Sequence, residues 1–103
     1  MSMTDYTRIT PYVRQRVKQR DSIDGRACCI YCGSPNVQVA HYVSRSRGGI
    51  GKETNLACLC PKCHAILDTG DPEQAREIKE VFRDWLKMNY KNWTEEDQIY
   101  RRY

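Results

Sequence analysis

A small α+β domain, with two strands and a helix stapled by a metal ion and further helices on either side, is predicted by three features of this 103-residue sequence. Two Cys-x-x-Cys pairs, Cys29/Cys32 and Cys60/Cys63, supply the four soft ligands of one closed tetrahedral zinc site. Between the pairs, the alternation of Val37, Val39, His41 and Val43 marks one strand, and the apolar run from Leu56 to Cys60 marks a second. Proline-led, capped stretches before, within and after this segment mark the helices.

In chain order, Thr10 is an N-cap and Pro11 the first residue of a helix reaching Arg20. Its basic residues Arg14, Arg16, Lys18 and Arg20 surround a thin stripe of Val13 and Val17, which suits either a solvated face or one that contacts phosphates. The first knuckle, Cys29 to Gly33, leads through the turn Ser34-Pro35-Asn36 into the strand, placing His41 at its end on the inward face. A loop rich in glycine and arginine runs from Ser44 to Asn55. The second strand returns antiparallel, and Pro61 opens a helix through about Thr69. Asp71, Pro72 and Gln74 form a capping box, after which Ala75, Ile78, Phe82, Trp85 and Leu86 share one face of a helix reaching about Tyr90. That helix is expected to clamp the core. Thr94 to Asp97 can start a last short helix before the tail Tyr100 to Tyr103. The whole chain, 1–103, reads as a single domain with its motif core at about 27–70 and its clamp helix at about 72–90.

Composition limits the function classes. The chain carries 17 Lys and Arg against 13 Asp and Glu, a formal charge of +4. The excess lies in the N-terminal two-thirds, and four thiolates around Zn²⁺ leave a local charge of −2. Bulk charge is therefore weak support for nucleic-acid binding, and clustering has to carry it. No apolar run approaches the ~18 residues needed to span a bilayer, and no export signal is read at the N-terminus, so a soluble, cytoplasmic protein is expected. Three disulfides are the alternative use of six cysteines, but matched pairs without an export signal suit zinc better. In so small a chain the metal supplies much of the folding free energy, on the order of 10 kcal/mol. Cys28 and Cys58 fit the spacing less well and read as small buried apolar residues, Cys28 being the replacement if the ligand set is misassigned.

Hydrolysis of a phosphodiester needs a base to activate water and a cation to neutralise charge on the phosphate and leaving oxygen. His41 can serve as the base. His64, on the first turn after Cys63, can reach the same space and hold a hard divalent ion, and Asn55 offers a neutral oxygen. Each has a plainer alternative. His41 could be a satisfied core residue, His64 a zinc ligand in a Cys₃His site, and Asn55 a turn residue.

The order Cys-x-x-Cys, His41, Gly48-Gly49, Asn55-Leu56, Cys-x-x-Cys-His64 resembles the HNH endonucleases, the zinc-stapled branch of the ββα-metal (His-Me finger) nucleases. The resemblance covers residues 29 to about 70, and the flanking helices resemble those of small phage-type members. It implies that His41 is the general base, that Asn55 positions it or binds metal, and that His64 ligates one Mg²⁺-class ion, with Mg²⁺, Mn²⁺ or Ni²⁺ as candidates. It further implies DNA as substrate, products with 5′-phosphate and 3′-hydroxyl ends, and a role in phage or prophage DNA processing beside packaging proteins.

One position departs from the family. Many members carry Asp, Glu or His directly before the first histidine as a second metal ligand, and this chain has Ala40. Asp68, one helical turn beyond His64, is a candidate replacement. The competing expectation is a non-catalytic, zinc-stapled nucleic-acid- or protein-binding module that has lost this ligand. Arg45, Arg47 and Lys52 in the loop can hold a duplex backbone, which adds affinity but no sequence information, so weak sequence preference is expected.

Overall fold

A computed structural model describes residues 3–100. Its elements are α1 (Met3–Thr7), α2 (Pro11–Arg20), β1 (Ser22–Ile23), β2 (Arg26–Ala27), β3 (Gln38–His41), β4 (Leu56–Leu59), α3 (Pro61–Thr69) and α4 (Pro72–Asn89). Short 3-10 turns fall at Arg45–Arg47, Glu53–Asn55 and Glu96–Gln98. Arg101, Arg102 and Tyr103 of the expected tail lie outside the described residues. No helix among the described residues is long and apolar enough to cross a membrane.

The three longer helices start where capping chemistry dictates. Thr10 accepts from the Val13 amide at 3.2 Å and Asp71 from the Gln74 amide at 3.0 Å. Cys60 fills the same role for α3, its Sγ accepting from the Cys63 amide at 3.4 Å. Each cap is followed by proline, whose missing N–H costs nothing at the first helical position.

β3 and β4 pair antiparallel with Gln38 opposite Leu59 and His41 opposite Leu56. Successive strand residues face opposite ways. Val39, Leu56 and Cys58 therefore pack with Val17 of α2, while Ala40, Ala57 and Leu59 pack with Ile78, Phe82 and Leu86 of α4. The hairpin is thus covered on both faces, α4 being the expected clamp. Val43 joins the α4 side instead of continuing the Val39 face. The Tyr42 N–H still donates across the ladder to the Asn55 carbonyl at 2.8 Å, and the pairing ends at Val43, whose N–H turns to the Asn55 side chain at 2.9 Å.

Three local features differ from expectation. The last helix shrinks to one 3-10 turn, Glu96–Gln98. Cys28 is only half-buried, unlike Cys58, whose thiol burial pushes up to about 12. A hairpin, β1–β2, turns on Asp24 (φ 53°) and Gly25 (φ 80°), both in the left-handed region. An Asp-Gly pair is the standard signal for such a two-residue turn, and it was legible in the sequence.

Arg20 does not belong to a solvated basic face. Its guanidinium forms a two-pronged pair with Asp21, at 2.7 and 3.0 Å, and also donates to the carbonyls of Glu53 and Leu56. The Asp21 carboxylate, wholly buried, takes further bonds from the Trp85 indole and the Cys58 amide, both at 2.8 Å. This hub ties α2, β4 and α4 together. Asp21→Ala strands a half-buried cation and two donors, and is expected to cost about 3–5 kcal/mol, read as a lower urea midpoint, with Asp21→Asn losing less.

Candidate metal centre and active-site cleft

The two knuckles meet at the N-terminus of α3. The four Sγ atoms of Cys29, Cys32, Cys60 and Cys63 all lie within 4.8 Å of one another. Tetrahedral zinc with Zn–S bonds of 2.3 Å requires sulfurs about 3.8 Å apart, so the donor set fits that ion. Cys29 N–H donates to the Ser34 carbonyl and Gly33 N–H to the Cys29 carbonyl, a tight turn that Gly33 permits with φ 81°. Amides of Cys32 and Cys63 point at the sulfurs of Cys29 and Cys60, and the positive end of α3 further favours thiolate. His64 is outside the cluster, and Cys28 and Cys58 do not join it.

His41 closes β3 with its ring half-buried. Nε2 lies 2.9 Å from the carbonyl oxygen of Thr7. A carbonyl only accepts, so Nε2 carries the proton and Nδ1 of the neutral ring keeps its lone pair. Burial lowers the pKa of His41, the electrostatic influence of the Arg45 and His64 side chains acts in the same direction, and the Thr7 carbonyl pulls the other way. The net effect keeps the ring neutral and basic at physiological pH.

His64 is held by its other nitrogen. Nδ1 lies 2.8 Å from Oε1 of Gln38 on β3, an amide oxygen that can only accept, while Nε2 lies 3.5 Å from a carboxylate oxygen of Asp68 one turn along α3. With the proton on Nδ1, an imidazole lone pair and a carboxylate face each other. Two acceptors at that separation are held together by a shared proton or a cation, which makes His64 and Asp68 a donor pair suited to a hard divalent ion. Ala40 lies on the Gln38 side of β3, but it is 1% exposed and packed in the core beneath α4.

Asn55 does not join them. Its side chain is completely buried, with Oδ1 accepting from Val43 N–H and Nδ2 donating to the carbonyls of Val43 at 3.1 Å and Ile50 at 2.9 Å. The carboxamide replaces the ladder bonds that the strand gives up and closes the loop onto itself. Asn55, expected to offer an oxygen to the catalytic ion or to orient the base, has each of its polar side-chain atoms hydrogen-bonded to backbone.

His41 and Asp68 open onto one cleft of about 400 Å³, which Arg47, Arg76 and Lys79 also line. Lys79 donates to the Tyr42 carbonyl and lies 3.9 Å over the Tyr42 ring, and burial lowers its pKa. Arg76 and Lys79 are cationic wall residues for which the sequence offered only their i, i+3 spacing on the clamp helix. Arg45 and Arg47 occupy an exposed 3-10 turn closed by Gly48 (φ 85°), and Lys52 is exposed beyond it. A larger concavity, about 550 Å³, between α2 and the β1–β2 hairpin holds no histidine or carboxylate and therefore none of this chemistry.

A β-hairpin followed by a helix, with four thiols that could hold a zinc ion gathered at the start of that helix, defines a small α+β domain of ββα form. Residues 29–68 match the family model described as HNH endonuclease. No curated protein matches the chain.

Proposed function

We propose that this chain is a metal-dependent DNA endonuclease whose general base is His41 and whose catalytic cation is held by His64 and Asp68. The observation that carries this assignment is the opposite protonation patterns of two histidines, His41 lining the cleft itself and His64 reaching it through its neighbour Asp68. His41 has its Nε2 occupied and Nδ1 available, whereas His64 has its Nδ1 occupied and Nε2 turned to a carboxylate. The first arrangement suits removing a proton from water, the second suits binding a cation.

When bound, a Mg²⁺-class ion neutralises charge on the scissile phosphate and the leaving oxygen. His41 takes the proton from the attacking water at Nδ1. Arg47, Arg76 and Lys79 hold the phosphate from the cleft walls, while Arg45 and Lys52 grip the flanking backbone without reading bases. Weak sequence preference follows. Asn55 serves as the tether that keeps the Ser44–Asn55 loop folded behind the base. The zinc site is scaffold, fixing the start of α3 and with it His64. The small size suits a phage-type member, and processing of phage DNA is the role we assign.

The burial of Ala40 favours a second function, a zinc-stapled binding module without activity. Supercoiled plasmid incubated with Mg²⁺, Mn²⁺ or Ni²⁺ separates the two. Nicking is expected with at least one ion, abolished by EDTA and reduced by both His64→Ala and Asp68→Ala. If no ion supports nicking while plasmid is still bound, the binding module is the correct assignment.

A further inference from the structure

Several groups that touch the active-site loop lie outside the matched segment. Thr7 and Tyr6, at the end of α1, each present a carbonyl to it: Thr7 O to His41 Nε2 at 2.9 Å, and Tyr6 O to the Gly51 amide at 2.8 Å. The last carbonyls of a helix have no partner within it, and these two find theirs on opposite sides of the loop between base and tether. Arg45 adds a longer bond, its Nε 3.5 Å from Thr7 Oγ1, and the Tyr6 ring stacks on Tyr100 with centroids 4.5 Å apart.

We infer that residues 4–8 are a positioning strap that completes the catalytic site, with the Thr7 carbonyl fixing the tautomer and orientation of His41. The inference rests on His41 being the general base. A free imidazole exchanges its proton between the two nitrogens, and only the form with the proton on Nε2 presents Nδ1 to water. The hydrogen-bond acceptor that selects that form comes from a backbone 34 positions away. Neither buried core cluster includes a residue from 4–8. The strap can therefore be displaced while the hairpin, zinc knuckles and clamp helix stay packed.

Gly51 provides the lever. Its φ is outside the left-handed region, so its own backbone accepts any residue. A Cβ built there, however, falls 2.5 Å from the carbonyl carbon of Arg8 and closer still to its oxygen. Gly51→Ala should push the strap off without touching a catalytic side chain. Arg8→Pro is an independent second lever. Proline removes the Arg8 N–H bond to the Thr4 carbonyl and drives Thr7 out of helical geometry, swinging its carbonyl away. Arg8→Ala, which leaves the backbone as it is, is the control.

The readout is the imidazole ¹⁵N shift pattern of His41 in the zinc-loaded full chain, together with plasmid nicking and zinc content. The native chain and Arg8→Ala should show the proton on Nε2. Gly51→Ala and Arg8→Pro should show a mixture of tautomers and nick about 10- to 100-fold more slowly, the range for lost orienting partners, with one zinc per chain retained. A native His41 protonated on Nδ1, or a tautomer unchanged in both displaced variants, overturns the strap. If tautomers respond as expected but no chain nicks DNA, the strap stands and the nuclease assignment fails.

Discussion

Removing the tetrathiolate ion, by a chelator or by Cys60→Ser, is expected to unfold the centre of the protein and not merely weaken its chemistry. The apparent free energy of a structural zinc site, on the order of 10 kcal/mol, is comparable to the whole stability of a domain this size, about 5–15 kcal/mol. The ligands are also part of the packing: Cys29, Cys60 and Cys63 are buried in the same cluster as Phe82 and Trp93. Cys60 further caps α3, so its loss releases the helix that carries His64 and Asp68. Metal analysis should find one zinc per chain, and chelation should abolish the near-ultraviolet signal of Trp85 and Trp93. Cys28→Ser, at a half-exposed thiol outside the cluster, should keep both zinc and fold. A chelated protein that still unfolds cooperatively at an unchanged midpoint would refute the scaffold role. Because protons compete with the ion for thiolate, zinc release should set in as pH falls.

The elements that local chemistry specifies were legible in the sequence. Thr10-Pro11, Cys60-Pro61 and Asp71-Pro72 mark helix starts by capping alone, and the spacing of Ile78, Phe82 and Leu86 marks the face of α4 that is buried. Cysteine spacing picked out the four thiols that the fold gathers within 4.8 Å of one another, a set that could hold one tetrahedral ion. What escaped were residues whose roles come from distant partners. Arg20 looks like any basic helical residue until Asp21 and the carbonyls of Glu53 and Leu56 enclose it. Asn55 in its motif position suggests an oxygen for a metal, but nothing in the sequence says that Val43 and Ile50 will consume its carboxamide. Thr7 gave no signal at all, since what it offers His41 is a main-chain carbonyl, which every residue has.

His41→Ala is expected to lower plasmid nicking by about 10²- to 10⁴-fold, the range for loss of a general base. Folding should survive, because the ring is half-exposed at the end of β3 and makes one hydrogen bond, to Thr7. The pH dependence separates loss of a base from a generally damaged site. His41 must be neutral to accept a proton, so the rate should rise with pH through the pKa of His41 and then level off. Burial, Arg45 and His64 all disfavour the imidazolium, placing that midpoint below the ordinary histidine value of about 6.5. A divalent ion at His64 and Asp68 adds positive charge nearby and moves it further down. Arg45→Ala removes one of these cations and should shift the midpoint upward, toward 6.5, besides weakening DNA binding. Rates measured at saturating DNA isolate the first effect from the second. An acid limb centred above 6.5, or a His41→Ala protein that keeps the native limb, would assign proton removal to another group, and Lys79, the half-buried amine in the same cleft, would be the next to test.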